Sequence, residues 1–182
     1  MVIDPNITVH FIKRTKYCKI QQSGIDLSLK ELSYLHPDMT TAIGEIGVKE
    51  CHSMPIYPRR YPRELWFFLG PGCYDFTCNE YVKVPKNAVA MLIQRSSLNR
   101  CGAYITSGLY DNGFENYVGG VLHVARSLRI QKNTRICQIV FFETRHEAQY
   151  KGKYQSHVEF TNCRKGRTAF YPSEKVPRRH KK

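Results

Sequence analysis

Residues that could hold an anion and activate a water molecule follow one another in the middle of the chain. The polar segment Arg95–Ser97 comes directly after the apolar run Ala88–Ile93, so we expect it at the end of a strand. Its hydroxyl and backbone N–H groups can donate hydrogen bonds, and its guanidinium can grip a phosphate with two of them. A second arginine, Arg100, follows, and a carboxylate, Asp111, stands in the glycine-flanked segment SGLYDNGF. A carboxylate can orient and deprotonate water, so the stretch offers an anion site followed by a candidate base.

Each of these residues also has a purely structural interpretation. The sequence Asp111-Asn112-Gly113 favours a tight turn, because Asp and Asn suit turns and Gly adopts positive φ. The Arg95–Ser97 segment could be a solvated turn with an ordinary ion pair. Gln138 is the one uncharged polar side chain in the core of the apolar run ICQIVFF, and it could bond a neighbouring backbone group. The residues alone leave both interpretations open.

The elements around these residues are of the β type. Short apolar or alternating runs are separated by turn residues, and they read LWFFLG, EYVKV, AVAMLIQ, GVLHVA and CQIVFF. Strands at this spacing predict an all-β barrel or sandwich with little helix. Residues 30–63 are rich in prolines and match no motif, so we expect a peripheral loop or a helical insertion there. We predict a single domain over residues 1–174 and a basic, disordered tail over residues 175–182.

Charge and composition restrict the partners. The chain of 182 residues has a net charge of +13 and is 42% hydrophobic, which predicts a globular protein with an anionic ligand. A nucleic acid, an acidic protein, an anionic membrane surface and a polyanionic small molecule all fit, and the tail KVPRRHKK offers a nucleic acid or another anion a place to bind. No apolar run approaches the roughly 20 residues of a membrane span.

Cysteine usage points to a reducing compartment. Seven cysteines, an odd number, occur in a chain whose first residues lack the pattern of a signal peptide. We therefore expect free thiols and a cytoplasmic protein.

Five segments, in order, carry a resemblance to the superfamily of trimeric dUTPases and dCTP deaminases. They cover residues 24–157, most of the chain. The first is GIDLSL, and the second, with its R-S-S-L, is closest to the deaminase branch. The five segments are Gly24–Leu29, Asn79–Leu98, Thr106–Phe114, Thr134–Phe141 and Gln149–Ser156.

The resemblance implies a distorted β-barrel, jelly-roll-like, assembled as a homotrimer with sites where subunits meet. It implies hydrolysis of dUTP to dUMP and pyrophosphate, with Asp111 acting on the water and Mg²⁺ held mostly by the triphosphate and by water. Asp26 would lie near the metal, contacting it through water. The residues expected to bind the nucleotide are Arg95, Ser96, Ser97, Arg100 and Gln138, with Tyr150, Lys153 and Tyr154 closing over it.

Departures from the family pattern bear on the choice of reaction. Deaminases carry a glutamate about ten residues after the aspartate of the third motif, where this chain has Val121 or, with an insertion, His123. The link from Phe114 to Gly120 is long. The fifth segment here resembles the tail of deaminases, whereas the glycine-rich fifth motif of ordinary dUTPases, R-G-x-x-G-F-G-S, is absent. We therefore expect a dUTPase. The alternatives are a dCTP deaminase and a non-catalytic nucleotide-binding or regulatory protein of the same fold.

Overall fold

The protein is described from a computed structural model, which places residues 1–38, 40, 42–43, 49–50, 53–145, 149–152 and 155. Strands dominate this part of the chain, and the helices are short: α1 (Pro5–Thr8), a 3-10 turn (Val9–Phe11) and α2 (Ser96–Arg100). The strands are β1 (Ile12–Lys13), β2 (Lys19–Ile20), β3 (Ile25–Tyr34), β4 (Ala42–Ile43), β5 (Lys49–Glu50), β6 (Met54–Ile56), β7 (Arg59–Tyr61), β8 (Glu64–Leu69), β9 (Gly72–Lys83), β10 (Ala88–Gln94), β11 (Ala103–Thr106), β12 (Glu115–Val124), β13 (Leu128–Gln131) and β14 (Arg135–Glu143).

The main sheet is antiparallel and nearly closed. Its order is β10-β14-β3-β9-β12-β11, with β1 on β9 and with β2 and β6 on β3. A bridge between Ala90 and Tyr110 joins β10, at one end of this order, to the segment after β11, at the other end. The predicted all-β, barrel-like fold with little helix is therefore confirmed.

Strand β3 connects the two halves of the sheet. Its first half pairs with β14 and β2, its second half pairs with β9 and β6, and residues 25–29 are fully buried. Apolar side chains on β9 and β14, among them Phe76 and Ile139, pack around it in the core. Burying such a side chain stabilises a fold by about 1.5–3 kcal/mol. Asp26 and Ser28 lie in this same buried stretch.

Two smaller sheets lie outside the barrel. One has the order β13-β8-β7, and the other is the pair β4-β5. Within residues 30–63, the described part consists of strands, turns and irregular segments. Residues 175–182 lie outside the described residues.

The sequence suggested a turn at Arg95–Ser97, but the chain forms a short helix there. Arg95 is extended and precedes α2, and the backbone N–H of Cys101 closes the helix onto the carbonyls of Ser97 and Leu98. The buried side chain of Leu98 anchors α2 to the core. Among the described residues, no helix has the length and apolar character needed to cross a membrane.

Candidate functional site

A buried carboxylate, Asp26, organises a polar cluster in the middle of the sheet. Its side chain has no solvent exposure. Gln138, directly opposite on β14, donates from Nε2 to Oδ1 of Asp26 over 3.0 Å. Gln21 donates from Nε2 to Oδ2 over 2.8 Å. Asp26 is thus held inside a strand rather than at a turn, and both of its oxygens accept an amide.

Two arginines share the same carboxylate. Nη1 of Arg135 lies 3.4 Å from Oδ2 of Asp26, and Nε of Arg95 lies 3.6 Å from it. Nη1 of Arg95 also donates to the backbone carbonyl of Arg135 over 3.2 Å. A buried charge needs such partners to offset the loss of hydration. Because the carboxylate lies beneath them, the two guanidiniums are held side by side, and each remains about one-third exposed.

These arginines form part of the wall of a cationic cavity of about 520 Å³. Among the described residues that line it there are four cations and no carboxylate. The lining residues are Lys16, Tyr17, Cys18, Lys19, Arg95, Asn133, Thr134 and Arg135. A concave site with one sign of charge attracts a multiply charged anion, and arginine can bind phosphate oxygens with two parallel hydrogen bonds.

A second buried carboxylate, Glu80, fastens one wall of this cavity to the sheet. Glu80 is fully buried and accepts hydrogen bonds from Thr15 Oγ1 (2.6 Å), from the backbone N–H of Ser28 (2.8 Å) and from Ser28 Oγ (2.9 Å). Since Thr15 directly precedes the lysine-bearing wall segment, Glu80 fixes where that segment runs. Burial, with a smaller contribution from Glu80, raises the pKa of Cys18 to about 11, so this wall thiol stays protonated at neutral pH.

Asp111 lies at a different place, in the turn that follows Tyr110 near the start of β10. Its carbonyl accepts the N–H of Phe114, and Gly113 adopts φ +80°, which favours glycine. The hydroxyl of the preceding residue, Tyr110, donates to the carbonyl of Gly119 (2.6 Å) and accepts its N–H (2.9 Å). The turn is therefore pinned to the irregular part of β12, and Asp111 itself is partly exposed.

Residues of the predicted closing segment pack against this turn. The backbone N–H of Tyr150 donates to the carbonyl of Asn112 over 2.8 Å, and its ring lies 5.7 Å from that of Phe114. Gln155 donates to the carbonyl of Gly113 over 3.0 Å. Tyr150 thus lies beside Asp111 in the same chain. Lys153 and Tyr154 lie outside the described residues.

Within one chain, Asp111 and the cationic cavity lie at opposite ends of β10. The Tyr110 backbone pairs with Ala90, whereas Arg95 follows the last residue of the strand. Five residues of strand separate the two levels, about 17 Å at the usual rise per residue. A single copy therefore presents an anion site and a carboxylate turn as two separate surfaces.

The remaining residues that were predicted to bind phosphate lie on α2, next to Arg95. Ser96 and Ser97 are exposed at the start of α2, and Ser97 lines a neighbouring apolar cavity of about 260 Å³. Arg100 is exposed at the end of α2 and lies outside the lining of the cationic cavity. Two sets of cavity residues were not predicted as ligands from the sequence: Arg135, which stands in the TRICQ segment, and the lysines of the basic stretch before β3.

No glutamate stands near the middle of β12. Val121 lies directly between Asp75 of β9 and Thr106 of β11. His123 has both ring nitrogens occupied, with Nδ1 3.4 Å from Cys73 Sγ and Nε2 3.1 Å from Thr106 Oγ1. His123 is therefore engaged with neighbouring strands. Burial raises the pKa of Asp75 to about 6.

Comparison with known proteins adds family information to this geometry. Residues 6–144 match the family described as dCTP deaminase-like. A probable deoxyuridine 5'-triphosphate nucleotidohydrolase of Methanosarcina acetivorans is 31% identical over 144 residues, which are 76% of this chain and 81% of that relative. A dUMP-forming dCTP deaminase of Persephonella marina is 40% identical over 152 residues, which are 80% of this chain and 83% of the relative.

A solved structure shares the fold. The 2'-deoxycytidine 5'-triphosphate deaminase of Agrobacterium tumefaciens superposes with a TM-score of 0.56 at 13% identity. The match covers 77% of this chain but only 47% of that chain, so the protein spans about half the length of this structural relative. At this identity, the likeness supports the arrangement of strands alone.

Proposed function

Since the chain belongs to the dCTP deaminase-like family, we propose that it is a dUTP diphosphatase, which hydrolyses dUTP to dUMP and pyrophosphate. The observation that carries the proposal is the cationic cavity built on Asp26, together with a partly exposed carboxylate at Asp111. Relatives named as deoxyuridine 5'-triphosphate nucleotidohydrolases support this choice of substrate.

In the proposed reaction, the arginines of the cavity bind the phosphates and Asp111 activates the water. Arg95 and Arg135 neutralise the phosphate charge, which grows on the leaving pyrophosphate as the bond between the α-phosphorus and the bridging oxygen breaks. Asp111 orients a water molecule and takes its proton while the water oxygen bonds to the α-phosphorus. Tyr150 packs beside the Asp111 turn and is well placed to cover the bound nucleotide.

The distance between the surfaces supports a site shared between copies. In one chain the arginines and Asp111 stand at opposite ends of β10, so one copy would bind the triphosphate and its neighbour would supply the carboxylate. We propose a homotrimer, in which each of three equivalent contacts forms one such site.

Mg²⁺ is proposed to arrive with the substrate. The described residues contain no group of three side chains that could hold a metal ion, and Asp26 already accepts two amides and pairs with two arginines. These residues therefore do not fit a metal site held by this chain alone. The triphosphate oxygens and water are the ligands that this ion prefers, and no step above depends on it.

Deamination of dCTP is the second candidate. The 40% identical relative is named a dUMP-forming dCTP deaminase. Val121 cannot move a proton, but Asp75 is directly opposite it on β9, and directly opposite residues of an antiparallel pair face the same side. The carboxylate of Asp75, with its pKa raised to about 6, is the group here that could act as a base.

An assay of products separates these functions. The purified protein is incubated with dUTP and with dCTP, and both pyrophosphate and ammonia are measured. We expect pyrophosphate from dUTP and no ammonia from dCTP. Ammonia that disappears in Asp75→Asn would establish the deaminase instead. Binding of either nucleotide without any product would support a regulatory protein.

We also propose that the protein works in a reducing, cytoplasmic compartment. The cysteines placed in the structure are free thiols. Cys78 and Cys137 lie in the core with their sulfurs 3.7 Å apart, joined by a hydrogen bond and not by a disulfide. The hydrogen bond and burial raise the pKa of Cys78, which keeps the thiol protonated.

A further inference from the structure

The outer surface of the small sheet β13-β8-β7 exposes large aromatic side chains. Tyr57 is 80% exposed, Tyr61 is 55% exposed and Phe68 is 43% exposed. The rings of Tyr61 and Phe68 lie 6.2 Å apart and nearly perpendicular to each other. Clustered exposed rings are uncommon on a protein surface without a binding role. These three residues belong neither to the lining of the cationic cavity nor to the Asp111 turn.

Arginines alternate with these rings. Arg59 and Tyr61 are alternate residues of β7 and so project to the same side. Arg129 is paired with Phe68 in the sheet, and its guanidinium lies 5.9 Å from the Tyr61 ring. These exposed side chains form an aromatic–arginine face, which consists of Tyr57, Arg59, Tyr61, Arg63, Phe68 and Arg129.

The charge of this face is strongly one-sided. The face has three arginines, and the one carboxylate beside them in this sheet is Glu64, which is paired with Tyr61. The side chains of Arg59, Arg63 and Arg129 are all exposed. Their positive charge complements a chain of phosphates, and the aromatic rings between them can stack on flat chemical groups.

The face borders a groove and is stiffened by proline. An open cavity of about 430 Å³ is lined by Pro55, Ile56, Tyr57, Pro58, Arg59 and Phe68. Proline fixes φ, so the segment around Pro58 and Pro62 loses little conformational freedom when it binds a ligand. The groove leads onto the ring of Phe68 and from there to Tyr61 and Arg129.

From this combination we propose that the aromatic–arginine face binds single-stranded nucleic acid. Exposed rings provide stacking platforms for unpaired bases, and interleaved arginines contact the phosphates and stack on bases. A duplex hides its base faces and would use the arginines alone. The site is separate from the one proposed for dUTP.

Fluorescence anisotropy with a labelled oligothymidylate tests the proposal on the full chain. Tyr61→Ala should weaken binding about tenfold or more, as expected for loss of one stacked base. Arg59→Ala combined with Arg63→Ala should reduce the slope of log K against log salt concentration by about 1.4, because each phosphate contact on a single strand contributes about 0.7 and two are lost. Hydrolysis of dUTP should be unchanged in all of these variants.

Matched controls exclude binding by net charge or by the tail. Lys13→Ala with Arg145→Ala removes two exposed charges elsewhere, and Arg178→Ala with Arg179→Ala removes two from the basic tail. Both control pairs should retain the oligonucleotide affinity within about threefold. The proposal is overturned if no binding occurs, if the control pairs weaken binding as much as the face variants do, or if duplex DNA binds equally well. Binding to anionic lipid vesicles is measured as well. The proposal is also overturned if Tyr61→Ala weakens binding to the vesicles but not to the oligonucleotide.

Discussion

The carboxylate of Asp26 lies 3.4 Å from the guanidinium of Arg135 and has no contact with solvent. Because Arg95 shares the same oxygen at 3.6 Å, one buried negative charge sets the position of two partly exposed positive charges. The cavity is therefore cationic at its surface and acidic beneath it. An anion that enters meets arginines already held in place, which reduces the ordering that binding requires.

Asp26→Asn should lower both stability and nucleotide affinity. The neutral side chain leaves two arginines without their ionic partner, but both can regain water, so we expect a loss of about 1–3 kcal/mol in the free energy of unfolding. Urea unfolding and the KM for dUTP measure the two effects. Asp38→Asn is the control because Asp38 is exposed and pairs with His36. Equal behaviour of the two variants would show that Asp26 does not anchor the arginines.

Arg95→Ala and Ser96→Ala should weaken binding of the triphosphate more than binding of deoxyuridine. A hydrogen bond to a charged group contributes roughly 1.5–3 kcal/mol, so removing each such bond should weaken affinity by about tenfold or more. Calorimetry with a non-hydrolysable dUTP analogue and with deoxyuridine measures both affinities. Lys13→Ala, which removes an exposed cation on β1, is the control. The same weakening for both ligands would place these residues away from the phosphates.

Tyr110→Phe should destabilise the turn that carries Asp111. The hydroxyl bonds both the N–H and the carbonyl of Gly119, and its removal leaves two buried backbone groups unpaired, at about 1–3 kcal/mol each at most. Thermal stability and kcat for dUTP should both fall. Tyr104→Phe is the control, since Tyr104 is half-exposed and its ring stacks on His123. Retention of full activity in Tyr110→Phe would show that the turn does not need this anchor.

Asp75 should give the protein a characteristic pH dependence of stability. Burial raises its pKa to about 6, so the folded state keeps the proton while the unfolded state loses it near pH 4. The contribution of Asp75 to stability therefore falls as pH rises from about 4 to about 6 and stays constant above that range. Asp75→Asn should remove this fall and stabilise the protein at pH 7 by about 1–3 kcal/mol. Urea unfolding across this range measures the slope, and an unchanged slope in Asp75→Asn would contradict the assignment.

The fold could largely be predicted from the sequence, because short apolar runs between prolines and glycines have few other solutions than a β-barrel or sandwich. The anion site was found in part. Arg95 follows a clear strand, whereas Arg135 is brought beside it by the pairing of β10 with β14. Both reach Asp26 because β14 also pairs with β3, a contact over more than 100 residues that spacing does not reveal. The role of Asp26 was also hidden, since a lone aspartate in G-I-D-L gives no sign of being fully buried.

The separation between Asp111 and Arg95 was likewise beyond the sequence. Both residues lie within one continuous segment, which suggested a single site. The bridge between Ala90 and Tyr110 shows that the chain returns beside the first half of β10, away from Arg95 at its end. Local order along the chain does not tell whether two residues meet in one copy or across two.

Mixing two inactive variants tests the shared site most directly. Asp111→Asn lacks the base, and Arg95→Ala combined with Arg135→Ala lacks the anion site. Co-expressed in equal amounts, they should form trimers in which about one quarter of the sites pair an intact Asp111 with intact arginines from the neighbour. We predict that the mixture releases pyrophosphate from dUTP at about one quarter of the wild-type rate. A mixture no more active than the two variants measured separately, with light scattering showing intact trimers, would contradict a site built from two copies.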